Sequence, residues 1–158
     1  MAQIHKLEHD IELKCSAYKF YGMFTLNVTQ LPKYLPKIYD SIKVIEGDGT
    51  SVGTVRLWKY ALEGSHLSVK ERTTTSVNKE TGGSSITFNT FEGEVMNSFK
   101  TFVVKLAVTP KGTDGNKCLV KWCLEFEKVN EEVPTPTAYI NLLDRISKEL
   151  APQLLKQG

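Results

Sequence analysis

The sequence predicts an α+β fold: a seven-stranded antiparallel sheet wrapped around one long C-terminal helix, with two short helices after the first strand. Three observations carry this. Segments in which apolar and polar residues alternate with period two follow one another through most of the chain. The connections between them are short and rich in Gly, Asn, Asp and Pro, so successive strands pair antiparallel. After Pro136 the period changes to that of a helix. Such a sheet and such a helix can each bury a face only against the other, and the twist of seven strands curls the sheet around the helix.

The first strand shows the alternation most plainly. Leu7, His9, Ile11, Leu13 and Cys15 share one face, and Lys6, Glu8, Asp10, Glu12 and Lys14 the other. Ser16 is placed to cap a short helix whose Phe20, Met23 and Phe24 fall on one side. A second helix is expected over 29–37, kept short by Pro32 and Pro36. Strands follow over 41–46, 54–61, 67–77, 84–92, 100–109 and 117–128, separated by turns at 47–53, 63–65, 78–83 and 110–115. In the last helix, near 136–155, Tyr139, Leu142, Leu143, Ile146, Leu150 and Leu154 form one apolar stripe. Asp144, Lys148 and Glu149 lie largely off it, and Pro152 is expected to bend or loosen the final turns. No repeat, low-complexity tract or linker interrupts the pattern, which predicts a single domain over 1–158.

Composition narrows the function classes. A chain of 158 residues buries about 70% of its unfolded surface without a metal or disulfide staple. Twenty Lys and Arg against 18 Asp and Glu leave a net charge of +2, so no field gathers nucleic acid or anionic membrane. Seven Phe, six Tyr and two Trp supply an aromatic core and exclude disorder. The opening run MAQIHKLEHD holds no apolar signal segment, and no stretch approaches the ~20 apolar residues of a membrane span. The expected compartment is therefore cytoplasmic, with no stable membrane insertion. Cys15, Cys118 and Cys123 are expected to be reduced, and the Asn27-Val28-Thr29 glycosylation triplet unused. A monomer or weak dimer is expected.

Catalytic and metal motifs are thin. His5 and His9 fall on the first strand and His66 far from them, and no Cys-x-x-Cys spacing occurs, so no metal is assigned. No Gly-x-Ser-x-Gly elbow supports a serine nucleophile. The glycine loop 47–53 lacks a Gly-Lys-Ser/Thr ending and joins two strands, which makes it a turn rather than a phosphate cradle. No cofactor and no catalytic residue is assigned.

The order strand, helix pair, six-strand meander, long helix combines with particular phrases: Ile45-Glu46-Gly47-Asp48-Gly49, Phe91-Glu92-Gly93-Glu94, and Lys121-Trp122-Cys123-Leu124-Glu125-Phe126-Glu127-Lys128. Together they resemble the birch-pollen-allergen superfamily. Val44 to Thr50, Trp58-Lys59-Tyr60 and Phe99-Lys100-Thr101-Phe102 resemble more closely its major latex protein branch, plant cytosolic proteins related to the class-10 pathogenesis-related proteins. The resemblance covers essentially the whole chain. It implies a helix-grip fold around a large apolar cavity that binds hydrophobic plant metabolites, hormones or lipids, linked to defence or stress. Some superfamily members are alkaloid-forming condensases with a pocket lysine. Lys121 falls in the matching strand, but alternation puts it opposite Val120, Trp122 and Leu124, facing solvent. Hormone receptors of this fold carry a Ser-Gly-Leu-Pro-Ala gate and a His-Arg-Leu latch. Here Leu62-Glu63-Gly64-Ser65 stands at the gate position and neither motif occurs. A ribonuclease role finds no His pair and no basic groove.

Alternation assigns an inward set: Thr54, Arg56, Trp58 and Tyr60; Ile86, Phe88 and Thr90; Phe102, Val104, Leu106 and Val108; Val120, Trp122, Leu124 and Phe126. Any one of these reads as plain core. As a set on a curved sheet, and with the resemblance, they predict a ligand site bounded by Phe24, Arg56, Trp58, Tyr60, Phe88, Phe102, Tyr139, Leu142, Leu143 and Ile146. Arg56 must be paired or hydrated there; it either anchors a ligand carboxylate or hydroxyl or snorkels to the mouth. His9, on the apolar face of the first strand, is a core histidine or a base. The expected function is to hold a hydrophobic small molecule. The alternative is a pocket isomerase or cyclase acting on a plant specialised metabolite such as an alkaloid.

Thiol titration of the denatured native protein should find all three cysteines free; finding one would overturn the reduced-compartment reading.

Overall fold

The computed structural model describes residues 3–77, 83–113 and 115–156. The strands are β1 (His5–Leu13), β2 (Tyr39–Glu46), β3 (Val55–Leu62), β4 (Ser65–Val77), β5 (Ser84–Gly93), β6 (Phe99–Pro110) and β7 (Cys118–Lys128). They form one sheet in the order β1-β7-β6-β5-β4-β3-β2, antiparallel throughout. The helices α1 (Ala17–Gly22) and α2 (Leu31–Tyr34) connect the two edge strands, and α3 (Thr137–Lys156) closes the chain. At ~1.5 Å per residue α3 is about 30 Å long, enough to cross the sheet.

Local chemistry explains most boundaries. Ser16 Oγ accepts the Lys19 N–H at 3.3 Å and starts α1, which buries Phe20 and Tyr21. The helix expected over 29–37 is a 3₁₀ turn, Val28–Gln30, followed by the four-residue α2. Pro32 falls in the first turn, where its missing N–H costs nothing, and Pro36 turns the preceding Leu35 away from the helical conformation, so α2 is a single turn. Pro152 lies inside α3, which nevertheless runs to Lys156 in one piece. The expected turn at 78–83 lies outside the described residues except for Gly83, as does Asp114 of the turn at 110–115.

The loop before β3 is a structural turn. The Asp48 carboxylate accepts the N–H groups of Thr50 (2.8 Å) and Ser51 (2.7 Å) and the Ser51 hydroxyl (2.7 Å). Those donors hold its carboxyl well below the usual carboxylate range.

The core divides along the sheet. Phe20, Phe24, Leu31, Ile38, Leu106, Trp122 and Leu150 belong to the larger cluster, built between the sheet, the short helices and α3. Val95, Phe99, Phe102, Leu124 and Phe126 form a second one. Alternation on β7 is clean: Cys118, Val120, Trp122, Leu124 and Phe126 are buried, while Leu119 and Lys121 are exposed.

A register shift between β4 and β5 matters for the site. Lys70 pairs with Glu92 but Glu71 pairs with Thr90, which leaves Phe91 as the extra residue of a bulge. Gly93 borders it with φ 132°, and a Cβ there would lie 2.3 Å from the Ser68 carbonyl oxygen and 2.9 Å from Val69 Cα. Gly53 also has positive φ (95°), but a Cβ would meet nothing within 4 Å.

Gly93→Ala is therefore expected to cost about 2–4 kcal/mol, from backbone strain and a backbone clash together. Gly53→Ala should cost about 1–2 kcal/mol, from strain alone. Urea midpoints of the two variants check the order; equal losses would refute the clash.

Candidate functional site

The concave face of the sheet and the stripe of α3 do not close completely on each other. Between them lies a recess of about 100 Å³. Its sheet wall is Trp58 and Tyr60 of β3, Val69 and Glu71 of β4, Phe88 and Thr90 of β5, Phe102 and Val104 of β6, and Trp122 of β7. Tyr139, Leu142, Leu143 and Ile146 of α3 face them, with Phe24 and Tyr39 at the side of the helix pair. The resemblance implies a large cavity; this recess is smaller than the ~150 Å³ that takes a benzene-sized guest. Aromatic rings fill the difference. Trp58 packs edge-on to Phe88 (6.0 Å between centroids), Tyr39 packs on Trp58 (5.8 Å), and Phe24 meets Trp122 edge-on (5.2 Å).

Nine of the ten residues expected from sequence border the recess: Phe24, Trp58, Tyr60, Phe88, Phe102, Tyr139, Leu142, Leu143 and Ile146. Arg56 does not. It is fully buried, so it neither snorkels to a mouth nor reaches the open space. Its Nη1 donates to Glu71 Oε1 and Thr73 Oγ1, both at 2.8 Å, its Nη2 donates to the Gly49 carbonyl, and its guanidinium lies over the Phe88 ring, 5.2 Å from the centroid. The neighbour that does border the recess is Glu71, 2% exposed. Besides Arg56, it accepts the Trp58 indole N–H at 3.1 Å. Burial pushes the Glu71 carboxyl above its ordinary range, and the opposing pull of Arg56 and Trp58 offsets this only in part.

Sequence reasoning missed Glu71, although a signal existed. Glu71 is in phase with Leu67, Val69 and Thr73 on β4, and it stands directly opposite Arg56 on β3. An inward arginine needs a buried counter-charge, and cross-strand register points to this one.

Two further polar contacts join the wall to α3. The Tyr60 and Tyr139 hydroxyls contact each other, joining β3 to α3. Burial raises both phenols, and for Tyr60 the nearby Tyr139 adds to it. Trp122 donates its indole N–H to Ser147 Oγ at 2.8 Å, and Ser147 donates to the Leu143 carbonyl at 2.9 Å.

The other singled-out residues lie elsewhere. His9 Nε2 is 2.7 Å from Asp144 Oδ1, tying β1 to α3 at the half-exposed margin of the sheet rather than in the recess. Lys121 points outward, 2.9 Å from Glu8. No Lys or His is present among the described residues that line the recess.

Residues 2–157 match the pathogenesis-related protein Bet v 1 family. The chain is 39% identical to major latex protein 146 of Papaver somniferum over 151 residues, 96% of this chain and 91% of that one. Its fold superposes on ginseng major latex-like protein 151 from Panax ginseng with a TM-score of 0.86 at 28% identity, covering 96% of this chain and 98% of that one. Norcoclaurine synthase of Thalictrum flavum superposes at TM-score 0.67 and 22% identity over 97% of both chains, a likeness of fold.

Removing one member of the buried pair leaves the other uncompensated. Arg56→Met is expected to cost about 3–5 kcal/mol, whereas Arg56→Met with Glu71→Met together should fold with near-native stability. Urea denaturation checks both; equal destabilisation of single and double variants would show that the pair is not coupled.

Proposed function

The chain belongs to the Bet v 1 family, in the company of the major latex proteins, and on that premise we propose that it holds a hydrophobic small molecule of plant origin in the recess between sheet and α3. The carrying observation is the wall itself: aromatic and aliphatic side chains from six strands and α3 converge on unfilled space, with few polar atoms among them. Phe24, Trp58, Tyr60, Phe88, Phe102, Tyr139, Leu142, Leu143 and Ile146 make the contacts, and Arg56 acts through Glu71. The protein works in the plant cytosol, in defence or stress response, carrying or buffering a metabolite, hormone or lipid.

Size sets the terms of binding. The recess as it stands falls short of the ~150 Å³ that takes a benzene-sized guest. A guest of one ring or more requires outward movement of the α3 wall at Tyr139, Leu142 and Leu143, the part of the stripe that is only partly buried. Burying about 200 Å² of apolar ligand surface contributes about 5 kcal/mol at ~25 cal/mol per Å². Micromolar affinity needs about 8 kcal/mol, so ligands that widen the recess and bury more surface bind best. The alternative, a pocket isomerase or cyclase, is supported by the fold shared with norcoclaurine synthase, and it must work without a lysine at the recess.

Native mass spectrometry of protein purified from its own tissue should show a bound small molecule released on denaturation. Leu143→Trp should fill the space and weaken a displaceable fluorescent fatty-acid probe at least tenfold; unchanged probe affinity places the site elsewhere.

A further inference from the structure

Half of the Glu71 carboxylate is unused. Oε1 accepts from Arg56 Nη1 and from the Trp58 indole. Oε2 is buried with no hydrogen-bond partner, and so is Arg56 Nε. The guanidinium cannot turn to serve Oε2 without giving up Thr73 and the Gly49 carbonyl. A buried carboxylate oxygen left without a donor is costly and rare in folded proteins, and Glu71 borders the recess, from which an incoming molecule that widens it can supply the donor. The Trp58 indole is committed to Glu71 Oε1, the Trp122 indole to Ser147, and one of the Tyr60 and Tyr139 hydroxyls to the other, and none of the hydroxyls around the recess hydrogen-bonds Oε2.

We propose that Glu71 Oε2 accepts a hydrogen bond from a hydroxyl or amine group of the ligand, so that the recess selects donor-bearing apolar molecules, such as phenols, alcohols and amines, over their hydrocarbon and carboxylate analogues. This rests on the ligand-site reading above. A hydrocarbon of the same shape leaves Oε2 unpaired. A carboxylate brings a second negative charge beside the first in a low-dielectric space, and Arg56, which would welcome it, is sealed off behind Glu71. The preference is thus opposite to the one an inward arginine suggests.

The test is calorimetric titration of the full chain at neutral pH with para-ethylphenol, para-ethyltoluene and para-ethylbenzoate, which differ only in the group offered to Glu71. The phenol should bind the native protein about tenfold or more tightly than the methyl analogue, with the benzoate weakest. In the Arg56→Met, Glu71→Met double variant, phenol and methyl analogue should converge to within about threefold. Glu71→Gln, if it folds with Arg56 left unpaired, offers an N–H to the recess and should shift preference toward the benzoate; the native and double-variant titrations do not depend on it. Equal binding of phenol and methyl analogue by native protein overturns the inference and leaves the ligand site standing. Tightest binding of the benzoate overturns it in favour of Arg56 as anchor. Binding of none of the three overturns the ligand-site reading and this inference with it.

Discussion

Between β3 and β4 a guanidinium and a carboxylate face each other with almost no solvent contact, and much of the surrounding structure answers to them. Arg56 reaches the Gly49 carbonyl and so fixes the turn that Asp48 organises. It reaches Thr73 on the far side of Glu71 and underlies Phe88. Glu71 in turn orients the Trp58 indole, and Trp58 packs on Tyr39 and Phe88. A buried ion pair is a weak source of net stability because desolvation consumes most of the attraction. What it supplies here is position: one turn, two strands and three aromatic rings are referred to a single charged contact.

The bulge between β4 and β5 belongs to the same arrangement. Without the extra residue Phe91, the strand partners beyond Lys70 would be offset by one, and period-two geometry would turn the inward residues of one strand outward relative to its neighbour. With it, Glu71, set opposite Arg56 by the regular pairing of β3 and β4, also stands beside Thr90 on the inward side of β5.

The sheet was legible because its signal is local. Alternation on 117–128 maps onto burial residue by residue, and the stripe of α3 follows from spacing alone. The short helices were less so: two prolines within 29–37 limit a helix without saying where its single turn will form. Glu71 escaped because 65–77 is rich in Ser and Thr and sets Lys70, Glu71 and Arg72 in a row, so its inner face does not stand out as apolar. Its burial comes from a partner fifteen residues away across the sheet. Arg56 was recognised as inward but assigned to open space, since sequence gives a charge its face and not its counter-charge. The size of the recess is the least legible feature, being what remains after Trp58, Trp122 and Tyr39 choose their rotamers.

Three polar ties fasten α3 to three different strands: Asp144 to His9 on β1, Tyr139 to Tyr60 on β3, and Ser147 to Trp122 on β7. Sliding the helix by one residue would rotate it by about 100° and break all three at once. The helix is therefore keyed like a shaft in a slot, free to exchange aliphatic teeth but not to slip. Leu142, Leu143 and Ile146, which carry none of the ties, can be traded for other apolar side chains within an unchanged frame, so descendants of this chain could acquire new guests by changing teeth while the shaft stays where it is.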